Sequence, residues 1–156
     1  MGPFLGVGVT VGSIAVFVAI VVWFVRKVQR ARADALVELE HDVMRGHAPK
    51  RLDVGPQFFG VESRGATQMR GNGTMVLTAD ELAFVLWIPH MTLRIPRRDI
   101  VAVDHPKSHL GKSVGVPLLR VRWRTAGVED TVAWRVSDLD GWTAALGAPT
   151  EPHAHA

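Results

Sequence analysis

Residues 119–136 read LRVRWRTAGVEDTVAWRV, and this stretch decides the fold class. Its first half alternates apolar residues with arginines, and its second half alternates apolar residues with polar or small ones. The inward-facing set is Leu119, Val121, Trp123, Val132, Trp134 and Val136. A period of two is typical of antiparallel strands that bury one face, and Ala126-Gly127 supplies the turn between them. The stretch therefore predicts a β-hairpin.

Upstream residues continue the β pattern. Gly71-Asn72-Gly73 is typical of a tight turn between residues 66–70 and 74–78. Short apolar or alternating runs predict the other strands, at 58–63, 82–88, 91–95 and 100–103. Residues 105–116 predict a loop, because they contain Pro106, Gly111 and Gly115. The total is about seven antiparallel strands.

A helix is predicted after the last strand. Ser137 at the N-cap with Asp140 three residues on approximates a capping box, and Gly147 ends the helix. Its apolar stripe is Leu139, Trp142, Ala145 and Leu146. We expect two orthogonal sheets whose open end this helix plugs with Trp142 and Leu146. Residues 148–156 are predicted to be disordered.

This order of strands and helix resembles the bacterial PH-like (GRAM-like) domain group. The segments that carry the resemblance are GNGTMVLT at 71–78, LAF at 82–84, LRIPRRDI at 93–100 and the closing Trp142. The resemblance implies a PH-like β-domain over residues 58–147. It also implies tethering to a membrane, and binding of a protein or a phosphoinositide, which many members of the wider group share.

The N-terminal part predicts a transmembrane helix within residues 1–25. Leu5 to Val25 are 21 consecutive uncharged residues, and at about 1.5 Å per residue they cover roughly 30 Å, the thickness of a bilayer's hydrocarbon core. A buried core helix is the alternative, although Thr10 and Ser13 alone do not make a polar face. A cleaved signal peptide is disfavoured, because the positive charge follows the apolar run instead of preceding it.

The predicted orientation depends on Arg26, Lys27, Arg30 and Arg32, since residues 1–25 contain no Lys or Arg. The positive-inside rule places this basic flank in the cytoplasm and the N-terminus outside the plasma membrane. Residues 26–46 then predict a juxtamembrane stalk helix, in which Val28, Ala35, Leu39 and Val43 recur at near-helical spacing. Residues 47–57, with their Pro and Gly residues, predict a linker to the domain.

Small residues in the apolar run predict helix packing. Gly8 and Gly12 form a GxxxG pattern, which lets two helices approach closely in lipid. A homodimer is one interpretation of this pattern. The alternative is that glycine is simply common in apolar helices.

No catalytic or cofactor site is predicted. The chain has no cysteine, which excludes disulfides, thiolate metal sites and cysteine nucleophiles. Gly111-Lys112-Ser113 looks like the end of a P-loop, but position 106 is Pro where that motif needs Gly. Asp104, His105 and His109 share a loop, and the choice between a metal site and solvated histidines favours the latter. We expect a non-enzymatic protein without metal or cofactor.

Two basic sets predict contact with an anionic surface: the flank of Arg26, Lys27, Arg30 and Arg32, and a second set in the β-domain. Lys107 and Lys112 lie in the long loop, and Arg120 and Arg122 line one strand face. The alternative is an ordinary solvated strand face. With net charge +3 and little interleaving of aromatics, nucleic acid is not an expected partner. The predicted function is a single-pass membrane protein whose cytoplasmic PH-like domain binds a protein partner or anionic lipid headgroups. The alternative is a structural subunit that dimerises through its glycine-bearing helix.

Overall fold

The computed structural model describes residues 4–45 and 48–147, with side chains from residue 13 onward. A long helix, α1 (Phe4–Leu39), ends in a short π-helical turn, and a second helix, α2 (Leu139–Leu146), closes the domain. Among the described residues, nine strands lie between them: β1 (Arg51–Val61), β2 (Gly71–Leu77), β3 (Glu81–Leu86), β4 (Met91–Pro96), β5 (Ile100–Asp104), β6 (Ser108–His109), β7 (Lys112–Ser113), β8 (Leu119–Thr125) and β9 (Val128–Arg135).

Seven of these strands form one antiparallel sheet in the order β4-β3-β2-β1-β9-β8-β5. Strand β1 joins the two halves, because it pairs with β2 through Arg51–Phe58 and with β9 through Gln57–Val61. Its register shifts at Val54/Gln57 and at Phe58/Gly60, where bulges bend the strand. The sheet can therefore curl around a single core.

The core is aromatic and α2 closes it. Phe58 stacks on Phe84 with ring centroids 5.6 Å apart, and Phe84 meets Trp134 at 5.5 Å. Trp142 and Leu146 of α2 pack into the same cluster. The helix begins after Asp138, whose side chain accepts a hydrogen bond from Gly141 N, and ends at left-handed Gly147. The predicted mainly β domain with a C-terminal helix is thus confirmed, with the N-cap one residue later than predicted.

The first strands differ from the prediction at their ends. Strand β1 begins at Arg51, so residues 51–57 belong to the sheet and not to a linker. Gly71 to Gly73 begin β2 instead of forming a turn. A Cβ on Gly73 would lie 2.3 Å from the Phe84 ring and 2.4 Å from the carbonyl oxygen of Val85. This glycine is therefore explained by close packing of β2 on β3.

The C-terminal part of α1 packs on the outer face of the sheet. Ala35 and Leu39 are fully buried in a cluster with Val76, Ala83 and Val85. Strands β2 and β3 are therefore covered on both faces, by the aromatic core on one side and by α1 on the other. The helix continues directly into the domain and is not a free stalk.

The prediction of a transmembrane helix is wrong. Among the residues that the structure describes, no helix is long and apolar enough to cross a membrane.

Candidate functional site

The most unusual surface of the described chain is the N-terminal part of α1. Every large apolar side chain from Ile14 to Val25 is exposed, with Phe17 at 67% and Trp23 at 61% of full exposure. We call residues 13–25 the apolar segment. Contiguous apolar surface of this kind marks an interaction site, because a soluble monomer rarely leaves it in water.

A basic band follows the apolar segment at once. Its four members are exposed on α1 within seven positions: Arg26, Lys27, Arg30 and Arg32. The Nζ of Lys27 lies 5.2 Å from the centroid of the Trp23 ring, so the band and the segment are in direct contact. The described part of α1 thus carries an apolar surface, an aromatic ring at its border and four cations, in that order.

Two contacts fix the direction in which α1 runs across the sheet. Glu38 accepts hydrogen bonds from Thr92 Oγ1 at 2.5 Å and from His90 Nε2 at 2.9 Å. One turn later, Asp42 lies near Arg94, whose pKa is raised first by its hydrogen bond to Glu81 and also by the charge of Asp42. The helix therefore advances beside β4 in the direction of that strand.

This direction sets the position of the basic band. Four helical residues and two strand residues both cover about 6 Å, which is consistent with α1 lying nearly parallel to β4. Because Glu38 lies level with His90 and Thr92, Asp34 lies about one turn beyond them, level with the β3–β4 turn (residues 87–90). The basic band and the apolar segment project past that turn from a fixed base.

The other four predicted basic residues lie elsewhere, on the β-domain. Arg120 forms a two-point ion pair with Asp104, and Arg122 Nε lies 3.5 Å from Glu129 Oε1. Lys112 Nζ donates to the carbonyl oxygen of Gln68 at 2.5 Å. Lys107 is exposed. The structure does not bring these residues together with the basic band, and three of the four make contacts within the domain.

Asp104, His105 and His109 lie close together in sequence, but each side chain bonds to a different partner. Asp104 pairs with Arg120, His105 bonds to Thr143 Oγ1 at 2.8 Å, and His109 donates to the carbonyl oxygen of Gly60 at 3.1 Å. Within residues 4–45 and 48–147, no group of three His, Asp or Glu residues is placed to hold a metal ion. Gly111-Lys112-Ser113 lies in the β6–β7 hairpin, where Gly111 has φ +72°.

His109 holds the β6–β7 hairpin against the end of β1. Its pKa is lowered because the ring is buried, and the cations of Arg120 and Lys112 act in the same direction. The hydrogen bond to Gly60 and the charge of Glu62 oppose these effects only in part. The neutral ring is therefore the form that the folded protein prefers.

This lowered pKa predicts a loss of stability in mild acid. The unfolded chain takes up the proton at about pH 6.5, whereas folded His109 resists it. The contribution of His109 to the free energy of unfolding is fully present above that pH. It falls as the pH drops towards the folded pKa, with a slope of at most about 1.4 kcal/mol per pH unit. Urea unfolding between pH 7.5 and pH 5 measures this slope.

Two variants test whether His109 causes this pH dependence. His109→Gln is expected to flatten it, whereas His41→Gln, at a side chain 86% exposed, is expected to leave it unchanged. Equal slopes in the native protein and in His109→Gln would contradict the assignment.

The predicted helix-packing pair cannot be placed in the same detail. Gly8 and Gly12 fall on the backbone of α1, but their surroundings lie outside the part of the chain whose side chains the structure describes. The predicted disordered tail, residues 148–156, also lies outside the described residues. The docked face, in contrast, uses three of the four positions that helical spacing singles out: Ala35 and Leu39 are buried in it, and Val43 packs against the same cluster.

Comparisons with known proteins do not assign the chain to a family. The chain matches no family model, and no curated protein or solved structure is significantly similar to it.

Proposed function

We propose that this chain is a non-enzymatic binding module that attaches its β-domain to an anionic lipid surface through the apolar segment and the basic band. The observation that carries the proposal is the sequence of surfaces along α1. An exposed apolar segment is followed by four exposed cations, and these by a face buried in the domain. The PH-like arrangement of strands and helix is compatible with such a role, and its β-domain would serve as the scaffold for a protein partner.

The physical chemistry favours lipid over water for this segment. Burial of each large apolar side chain contributes about 1.5–3 kcal/mol, and each nearby Lys or Arg adds about 1 kcal/mol at an anionic surface. The charge contribution is screened within about 8–10 Å at physiological salt, so it acts only when the band touches the headgroups.

The fixed base of α1 supports a positional role. Because Ala35 and Leu39 are buried and Glu38 is bonded to β4, the domain is held immediately behind the basic band. From Arg32 to Ala35 the helix rises only about 4.5 Å. A domain attached in this way would present the same faces to the surface in every copy.

Vesicle co-sedimentation of the full chain tests the proposal. We expect stronger binding to vesicles that contain phosphatidylglycerol than to phosphatidylcholine alone, and loss of the difference at high salt. Replacing all four band residues with Gln should weaken binding to the anionic vesicles at least about tenfold, since each cation is worth about 1 kcal/mol.

A matched variant controls for net charge. It replaces four exposed basic residues outside the band with Gln: Arg45, Lys50, Arg98 and Lys107. This control should bind the anionic vesicles nearly as well as the native chain. Equal binding to neutral and anionic vesicles, or equal losses in both variants, would refute the proposal. A protein that forms a stable dimer in detergent and does not bind vesicles would instead support the structural-subunit interpretation.

A further inference from the structure

We propose that the β-domain carries a binding site for a carboxylate that lies beside an amide, in a cleft on the outer face of the sheet. An acidic residue of a peptide has this chemistry, and so has a free N-acylated amino acid. The inference goes beyond the attachment of α1 to lipid and does not depend on it. The cleft, which we call the polar cleft, has a volume of about 360 Å³ and is lined by Gly55, Gln57, Asn72, Arg135, Val136 and Ser137.

Three neighbouring strands supply the floor of the polar cleft. Gln57 of β1 is paired with Arg135 of β9 on one side and with Asn72 of β2 on the other. Side chains at paired positions lie on the same face of a sheet, with their Cβ atoms about 4.5–5.5 Å apart. The three polar side chains therefore form one row across the sheet.

This row lies between two covered areas of the outer face. On one side α1 packs on Val76, and on the other side Leu118 packs on Ala133. Alternate residues of a strand share a face, so Asn72 lies on the same face as Val76, and Arg135 on the same face as Ala133. Asn72 and Arg135 are nevertheless exposed. The row is therefore accessible to a ligand.

A β-bulge brings Gln57 into the row. Asp53 faces the core, where its Oδ2 lies 3.4 Å from Trp142 Nε1. In an uninterrupted strand Gln57 would face the core as well, because it follows Asp53 by four residues. The register of β1 shifts between Val54 and Gln57, and the extra residue turns Gln57 to the outer face. Gly55 supports the bulge with φ +118°, and bulges often re-aim side chains next to functional sites.

The lining residues of the polar cleft include one cation and no acid. Within the described parts of the chain, the side chains of Arg135, Gln57 and Asn72 have no hydrogen-bond or ion-pair partner. Ser137 differs from them, because its Oγ donates to Asp53 Oδ2 at 3.3 Å. Three polar groups of the row are therefore available to a ligand, and the charge among them is positive.

These groups favour a carboxylate with an amide beside it. The planar guanidinium of an arginine binds a carboxylate through two parallel hydrogen bonds. Each carboxamide, of Gln57 and of Asn72, both donates and accepts, which complements the N–H and C=O of a peptide amide. A bare phosphate has no donor for the two carboxamide oxygens. The volume is at the lower end of the range for small-ligand sites, about 300–1,000 Å³, and suits a short segment.

Nuclear magnetic resonance titration of the isotopically labelled full chain, in a neutral detergent and without lipid, tests the inference. The probes are acetyl-Ala-Ala-Glu-Ala-Ala-amide and acetyl-Glu-amide. The controls are the same peptide with Gln in place of Glu, and inorganic phosphate. We expect both Glu probes to shift the side-chain amide signals of Gln57 and Asn72, and the controls to bind more weakly. Tighter binding of the peptide than of acetyl-Glu-amide would identify a peptide as the source of the carboxylate, and equal binding a small molecule.

Three variants assign the binding to the row. Arg135→Gln should weaken binding of the Glu peptide about tenfold or more, because it removes the charged donor. Arg135→Lys keeps the charge but not the planar fork, so it should lose most of the affinity too. Arg98→Gln removes a cation with an 88% exposed side chain outside the cleft, and this variant should bind the peptide as the native chain does.

Equal binding of the Glu and Gln peptides, or tighter binding of phosphate than of the Glu probes, would overturn the inference. Native affinity in Arg135→Lys, or an equal loss in Arg98→Gln, would also overturn it. Arg135→Gln should still bind vesicles that contain phosphatidylglycerol, because the basic band is unchanged in it. A failure of the polar cleft would thus leave the attachment through α1 in place, and the two proposals are tested separately.

Discussion

Replacing Trp142 with alanine is expected to lower the free energy of unfolding by about 3–5 kcal/mol, the usual cost of truncating a buried aromatic residue. Trp142 is fully buried in the main core, and the guanidinium of Arg51 lies 5.2 Å from its ring centroid. Its Nε1 also lies 3.4 Å from Asp53 Oδ2. Loss of the ring leaves a cavity where α2 closes the curled sheet, so the helix loses its main attachment.

Thermal and urea unfolding, followed by circular dichroism, measure this effect. Trp142→Phe should recover part of the loss, because it keeps an aromatic ring in the core. Ala144→Ser, at an exposed position of the same helix, should have almost no effect. A Trp142→Ala protein as stable as the native one would show that α2 does not contribute to the core.

The β-domain was predictable to the extent that its strands bury one face. Strands β8 and β9 alternate strictly, and the stripe of α2 that contains Trp142 and Leu146 is apolar at helical spacing. Gly71 to Gly73 misled the prediction, because glycine serves both tight turns and close packing between strands. The local sequence does not tell the two apart, whereas the distance from Gly73 to Phe84 does.

The sequence of β3 indicates that a helix packs on it, but the same sequence allows a second interpretation. Residues 82–86 of β3 form an apolar run without alternation, and all five are buried. Such runs are typical of strands covered on both faces. Combined with Ala35 and Leu39 at helical spacing, the run indicates that a helix covers the outer face. Sequence patterns give the apolar faces, but they do not say which face meets which.

The candidate site was predicted only in part, because the sequence does not show which residues face each other on neighbouring strands. The arginines of β8 read as a free basic face, yet Arg120 lies beside Asp104 and Arg122 beside Glu129 in the folded sheet. Opposite charges on neighbouring strands neutralise each other, and the pairing of strands is a long-range property. The basic band was identifiable because its setting, the apolar segment that precedes it, is contiguous in the sequence.

Ala35→Arg is the second change with a large expected effect, because it tests the attachment of α1 to the sheet. Ala35 is fully buried against Val76, Ala83 and Val85, which are all apolar. An uncompensated buried charge costs about 3–5 kcal/mol, so the helix is expected to leave the sheet instead of burying it. Hydrogen exchange at residues 28–44 should then accelerate, while the strands of the main core stay protected.

Val37→Arg is the matched control, since Val37 is 65% exposed on the other side of the same helix turn. It adds the same side chain and the same charge two residues away, and hydrogen exchange there should remain at the native rate. Equal acceleration in both variants, or in neither, would contradict the docked arrangement. If Ala35→Arg alone frees the helix, the variant should still bind anionic vesicles, because the apolar segment and the basic band are unchanged in it. Faster exchange together with retained vesicle binding would identify the docked face as the part of the molecule that holds the β-domain to α1.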